Sequence, residues 1–133
     1  MLRLVLVMHK PLASAFAECA RHILASAPDL VLFEIDAADS PEQRQRELEQ
    51  LLLSQPGTGT VVLCDVYGAT PFNIARKAVE TARNRGFEAD LITGANLCMV
   101  LKSLTHSRDN LQQFSQSVRR SASQGIVSAF EVS

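Results

Sequence analysis

Short, nearly continuous apolar runs alternate with segments whose apolar residues recur every three or four positions. Leu2-Arg3-Leu4-Val5-Leu6-Val7 predicts a buried strand, since only Arg3 interrupts it. Pro11 suits the first turn of a helix, where its missing N–H removes no bond. Leu12, Phe16, Cys19, Ala20, Ile23 and Leu24 then follow at helical spacing up to Pro28, predicting an inward face. Leu30 to Ile35 predicts a second strand. Ser40-Pro41-Glu42 opens a second helix, with Leu48, Leu51 and Leu52 inward and Pro56-Gly57 beyond its end. Thr60 to Cys64 is a third strand, and the turn Val66-Tyr67-Gly68-Ala69 follows Asp65. The next helix starts at Thr70-Pro71 and turns Ile74, Ala75, Ala78, Val79 and Ala82 to one side. Glu88 to Ile92 is a fourth strand, Asn96–Leu104 and Asp109–Ser123 are two more helices, and Ile126 to Val132 is a final strand.

Strands alternating with helices predict an α/β fold: a mainly parallel, doubly wound sheet with helices on both faces. At 133 residues, with 47% hydrophobic and 20% charged, the chain forms one domain, 1–133, with a core of ordinary size. The formal net charge of -1, one Tyr and no Trp set nucleic acid aside, because neither a basic surface nor stacking platforms are available. The apolar run Leu4–Met8 is far short of the ~20 residues a bilayer span needs, and His9-Lys10-Pro11 ends it before a signal-peptide core forms. Cys19, Cys64 and Cys98 are odd in number and widely spaced, matching neither a disulfide framework nor a zinc site, and the expected setting is a reducing cytoplasm.

In open parallel sheets, ligands bind beyond the C-terminal ends of the strands. That rule selects His9 after the first strand, Asp65 after the third, and Gly94-Ala95-Asn96 after the fourth. A lone strand-end histidine is commonly a turn residue. A carboxylate at a neighbouring strand end changes its meaning, because it can take the ring N–H, fix the tautomer and leave the other nitrogen nucleophilic. Thr70 reads as an N-cap and Pro71 as the first helical residue. The N–H groups of Phe72 and Asn73 would then point out of the helix start, forming an anion site suited to phosphate. His22 lies mid-helix and His106 in a polar stretch, so neither shares this setting. No GxxxxGK[ST] or GxGxxG loop is present.

The segments Val5–His9, Val62–Asn73 and Ile92–Leu101 resemble, in register over nearly the whole chain, the mannose-family IIA components of the bacterial sugar phosphotransferase system. The string Asp65-Val66-Tyr67-Gly68-Ala69-Thr70-Pro71-Phe72-Asn73 is its most specific part. The resemblance implies that His9 is the phosphorylated histidine, that Asp65 orients its ring, and that Thr70 lies near the phosphoryl group. It also implies a last strand that joins antiparallel and is exchanged within a homodimer, HPr as phosphoryl donor, a IIB domain or protein as acceptor, and no cofactor. Lys10-Pro11 replaces the family's usual Gly or Ser after the histidine, and Lys10 places a positive charge that modulates the phosphoryl site or its partners. Cys98 stands where the family usually has Pro. The chain ends at Ser133 without a IIB domain, so a separate acceptor, or use of the phosphoryl group as a regulatory signal, is expected. Together with Lys10 and Cys98, that tilts the expectation towards the signal. A dihydroxyacetone-kinase phosphotransfer subunit would show a different string after the aspartate, and a binding module without phosphotransfer leaves the joint occurrence of His9, Asp65 and Thr70-Pro71 unexplained.

Overall fold

The computed structural model of the chain describes residues 1–131. Strands β1 (Arg3–His9), β2 (Val31–Ile35), β3 (Thr60–Cys64) and β4 (Ala89–Ile92) form one sheet in the order β2-β1-β3-β4. Every pairing is parallel, with Val7 opposite Cys64 and His9 opposite Ile35. The helices are α1 (Leu12–Leu24), α2 (Pro41–Leu53), α3 (Thr70–Asn84), α4 (Leu97–Thr105) and α5 (Leu111–Gln124).

Side chains alternate across a strand, so β1 and β3 feed two cores. Leu4, Leu6, Met8, Val61 and Leu63 pack with Ala13 and Ala20 of α1, Val100 of α4, and Phe114 and Val118 of α5. Val5, Val7, Val62 and Cys64 pack with Leu48 and Leu52 of α2 and Ile74, Ala75 and Ala78 of α3. Helices on both faces, as expected, leave the strand termini as the open edge of the sandwich. Arg3 locks the opposite end: its guanidinium donates to the Leu51 carbonyl at the end of α2 (2.8 Å) and to Thr60 Oγ1 (3.3 Å).

Some sequence expectations need correction. Ser40 does cap α2, accepting the Gln43 N–H at 3.3 Å, but α1 begins at Leu12 with Pro11 in the cap position. The inner stripe of α1 is carried by Ala13 and Ala20, with Leu12 and Phe16 half-buried. Cys19 is exposed and Ile23 is 52% exposed. The helix lies close to the sheet through small residues, so its next row of apolar positions is left outside.

The expected last strand is absent from Ile126 to Glu131, which is turn and irregular chain; Val132 lies outside the described residues. A strand exists only where it pairs, and among the described residues this segment pairs with neither edge strand of the sheet, β2 or β4. Ile126, Val127 and Phe130 are therefore left 77%, 68% and 100% exposed.

Leu63→Ala, at a fully buried position of β3, is expected to lower unfolding free energy by about 2–5 kcal/mol. Ile23→Ala should cost less than about 0.5 kcal/mol. Urea unfolding of both variants checks the corrected face of α1.

Candidate functional site

Parallel pairing of β1 with β3 brings the ends of two neighbouring strands together, and with them His9 and Asp65. The Asp65 side chain is only 5% exposed, whereas that of His9 is 51% exposed. A carboxylate that deep requires hydrogen-bond donors. The His9 backbone N–H donates to Asp65 Oδ2 at 2.9 Å, and His9 Nδ1 lies 2.7 Å from the same oxygen. The Val66 N–H donates to Asp65 Oδ1 at 3.0 Å. Burial raises the Asp65 carboxyl pKa, but the His9 backbone and ring bonds, the His9 charge and the Val66 bond outweigh it and hold the group below its ordinary value. An ionised Asp65 accepts from Nδ1–H, which assigns the neutral ring's proton to Nδ1 and its free lone pair to Nε2. The structure thus joins the two residues that the strand-end rule selects and leaves the ring open to solvent.

Beneath this pair, Cys64 is fully buried, and its thiol donates to the Pro71 carbonyl at 3.9 Å, tying the end of β3 to the first turn of α3. Burial, reinforced by the Asp65 charge, pushes the Cys64 thiol up to about 12, so it remains protonated and unreactive near neutrality. The intervening turn depends on Gly68, whose φ of +83° is costly for residues bearing a Cβ.

The start of α3 differs by one residue from the sequence expectation. Ala69 is the cap, Thr70 is the first helical residue and Pro71 follows it. A Thr hydroxyl favours the cap position but does not dictate it, and Thr70 makes no cap bond. The Asn73 N–H is consequently taken by the Ala69 carbonyl at 3.0 Å, and its side-chain amide donates to the Gly68 carbonyl at 3.3 Å. Asn73 braces the turn. The N–H groups of Thr70 and Phe72 have no partner among the described residues and are the donors the helix start offers. The Phe72 ring is buried, 4.7 Å from the ring of Tyr67.

His9, Lys10 and Thr70 line one cleft of ≈ 530 Å³ together with Ile35, Asp36 and Asp39. The sequence reading passes over Asp36, although it directly follows Ile35 and meets the same strand-end rule as His9 and Asp65. The Gly94-Ala95-Asn96 loop serves the scaffold: the Ala95 N–H donates to the Cys64 carbonyl at 3.0 Å, and Asn96 caps α4 through the Met99 N–H at 2.7 Å. Cys98 faces α5, with its thiol donating to the Ser121 carbonyl at 3.7 Å. His22 lines a separate groove beside Cys19 and Ile23, and His106 is near Ser121, Nε2 to Oγ 3.5 Å.

Asp65→Asn should destabilise the protein at neutral pH by about 1–3 kcal/mol, because it removes a buried charge-assisted acceptor. A lowered carboxyl pKa contributes stability above the unfolded value of about 3.9 and loses it as pH falls through the folded value. The stability gap between wild type and variant should therefore be constant above about pH 5 and narrow below about pH 4, as read from urea midpoints at each pH.

Residues 3–120 match the family described as PTS system fructose IIA component. The fold is that of the mannose/sorbose-specific IIA subunit of the phosphotransferase system from Enterococcus faecalis, at TM-score 0.85 and 20% identity, covering 99% of this chain and 97% of that one. The EIIA component from Streptococcus agalactiae superposes at TM-score 0.84 and 20% identity, covering 96% of this chain and 97% of that one. A sigma-54 interaction domain protein from Enterococcus faecalis does so at TM-score 0.77 and 14% identity, covering 98% and 97% respectively. No curated protein matches by sequence. With the match spanning most of the chain and the sheet and helices agreeing with IIA structures, the protein belongs to the PTS fructose IIA component family, whose members serve in phosphotransfer.

Proposed function

We propose that the protein is a phosphohistidine carrier, in which neutral His9 accepts a phosphoryl group from HPr on Nε2 and either passes it to a IIB protein or holds it as a regulatory signal. The observation that carries this reading is the contact of a nearly buried, ionised Asp65 with both the backbone N–H and Nδ1 of a half-exposed His9. A histidine serving only as a turn residue needs no carboxylate on its ring nitrogen. Here the Asp65 contact orients the ring, and the ring is half-exposed beside the cleft that His9 lines.

In the transfer, the Nε2 lone pair attacks phosphorus on the phosphohistidine of HPr. The donor N–P bond breaks as the new N–P bond forms, and the donor ring keeps the released electron pair. His9 retains its Nδ1 proton, so the loaded ring is cationic beside the Asp65 carboxylate, which stabilises it. The N–H groups of Thr70 and Phe72, the Thr70 hydroxyl and the positive end of α3 are suited to hold the phosphoryl oxygens. No proton or cofactor enters the balance. The free thiols Cys19, Cys64 and Cys98 suit a reducing cytoplasm, where HPr and a IIB acceptor would meet the carrier.

Incubation with HPr, its upstream kinase and phosphoenolpyruvate should place one acid-labile phosphoryl group on the protein. His9→Ala should abolish the label, while His22→Ala and His106→Ala keep it. Asp65→Asn should slow transfer by roughly tenfold or more with the circular dichroism spectrum retained. Undiminished labelling of His9→Ala would remove the assignment. If a phosphorylated protein transfers to no IIB protein but changes its affinity for another target, the regulatory use is the correct one.

The exposed row Ile126, Val127 and Phe130 supports a homodimer in which this segment pairs with a sheet edge of the second copy. Light scattering at micromolar concentration should give twice the chain mass, and truncation after Gly125 should give the monomer. A monomeric full-length chain contradicts this.

A further inference from the structure

Lys10 and Asp36 face one another across the cleft that holds His9, with Nζ 3.8 Å from Asp36 Oδ2. The Lys10 N–H is fixed to the Ile35 carbonyl at 3.0 Å, so its backbone is held at the end of β1 while its side chain remains 62% exposed. Asp39, the second carboxylate of the cleft, is differently placed: it lies 3.5 Å from Arg44 Nε and accepts the Asp36 N–H at 2.9 Å. Asp36 Oδ1 takes the Ala38 N–H at 3.1 Å. Among the described residues, Lys10 is the only lysine or arginine lining the cleft and the only one paired with Asp36.

A phosphoryl group on His9 would place a charge of about -1.5 to -2 on its oxygens, only partly offset by the cationic ring, in a cleft that already holds two carboxylates. Lys10 is the available counter-charge. An exposed ion pair at this separation is weak, and a phosphoryl group attracts an ammonium about twice as strongly as a carboxylate does at equal distance. The existing partner is thus readily exchanged for the new one.

We propose that Lys10 is an exchangeable phosphoryl-binding residue, paired with Asp36 while His9 is unmodified and transferred to the phosphoryl oxygens when His9 is loaded. The proposal rests on the carrier reading and deepens it: Lys10 raises the share of phosphoryl group that this protein retains at equilibrium with its donor. Asp36 competes for the same ammonium and sets how much of that share is given up. The Lys10–Asp36 pair therefore tunes how readily the carrier hands on its load.

The test is the equilibrium between phosphorylated HPr and this protein, approached from both directions and read by phosphorus NMR, for wild type, Lys10→Gln, Lys10→Arg, Asp36→Asn and the double variant Lys10→Gln/Asp36→Asn. Lys10→Gln should shift the equilibrium towards HPr by about threefold to tenfold, and Lys10→Arg should restore most of it. Asp36→Asn should shift it the opposite way, and by less when Lys10 is already Gln, because the competition no longer exists. Additive effects of the two substitutions would overturn the exchange. A Lys10→Gln variant that slows both directions equally, with the equilibrium unmoved, would overturn it too and make Lys10 a docking residue. A wild-type protein that takes no phosphoryl group would overturn the carrier reading itself, an outcome visible before any variant is compared.

Discussion

The site depends on the solvation of a single carboxylate. Asp65 is almost wholly withdrawn from water, yet held ionised, and each of its bonds serves the site as well as the charge. The bond from the His9 N–H keeps the end of β1 beside the end of β3. The contact with Nδ1 sets the ring's direction and its tautomer. The bond from Val66 starts the turn that leads to α3. One buried negative charge thus joins the end of the strand carrying His9 to the turn that leads into α3.

The rest of the fold makes this arrangement rigid without filling the space above it. The central strands β1 and β3 carry fully buried side chains on both faces, so their ends cannot move independently of two packed helical layers. Cys64, protonated and buried, ties β3 to Pro71, and Asn73 ties α3 back to Gly68. Ser14 is held in the same spirit on the other side of His9: its N–H and hydroxyl both donate to the Glu34 carboxylate of β2, at 2.9 and 2.8 Å. By contrast, Nε2 of His9, the Thr70 hydroxyl and the N–H groups of Thr70 and Phe72 have no hydrogen-bond partner among the described residues. His9 and Thr70 line the one cleft that the proposed carrier role would use.

Much of this was legible in the sequence because it follows from periodicity and topology. Apolar runs located the strands, helical spacing located the helices, and the strand-end rule selected His9 and Asp65. Finer features depended on contacts between distant residues. Thr70 looks like a cap, yet the chain turns one residue earlier at Ala69, and that single step engages the N–H of Asn73. Cys19 and Ile23 fit the apolar spacing of α1, but the close approach of Ala13 and Ala20 leaves them outside the core. Asp36 meets the strand-end rule, but its pairing with Lys10 is apparent only once β2 lies beside β1. The segment from Ile126 has strand composition and no strand structure in the described residues, since a strand is a property of two partners.

The central claim is that Asp65 reserves Nδ1 and leaves Nε2 as the nucleophile. It is tested most directly by labelling the histidine rings with nitrogen-15, phosphorylating the protein with HPr, and reading the one-bond phosphorus–nitrogen coupling and ring shifts of His9 by NMR. The account predicts a phosphoryl group on Nε2 with Nδ1 still protonated. Phosphorylation at Nδ1 of His9, or on another residue, would contradict it.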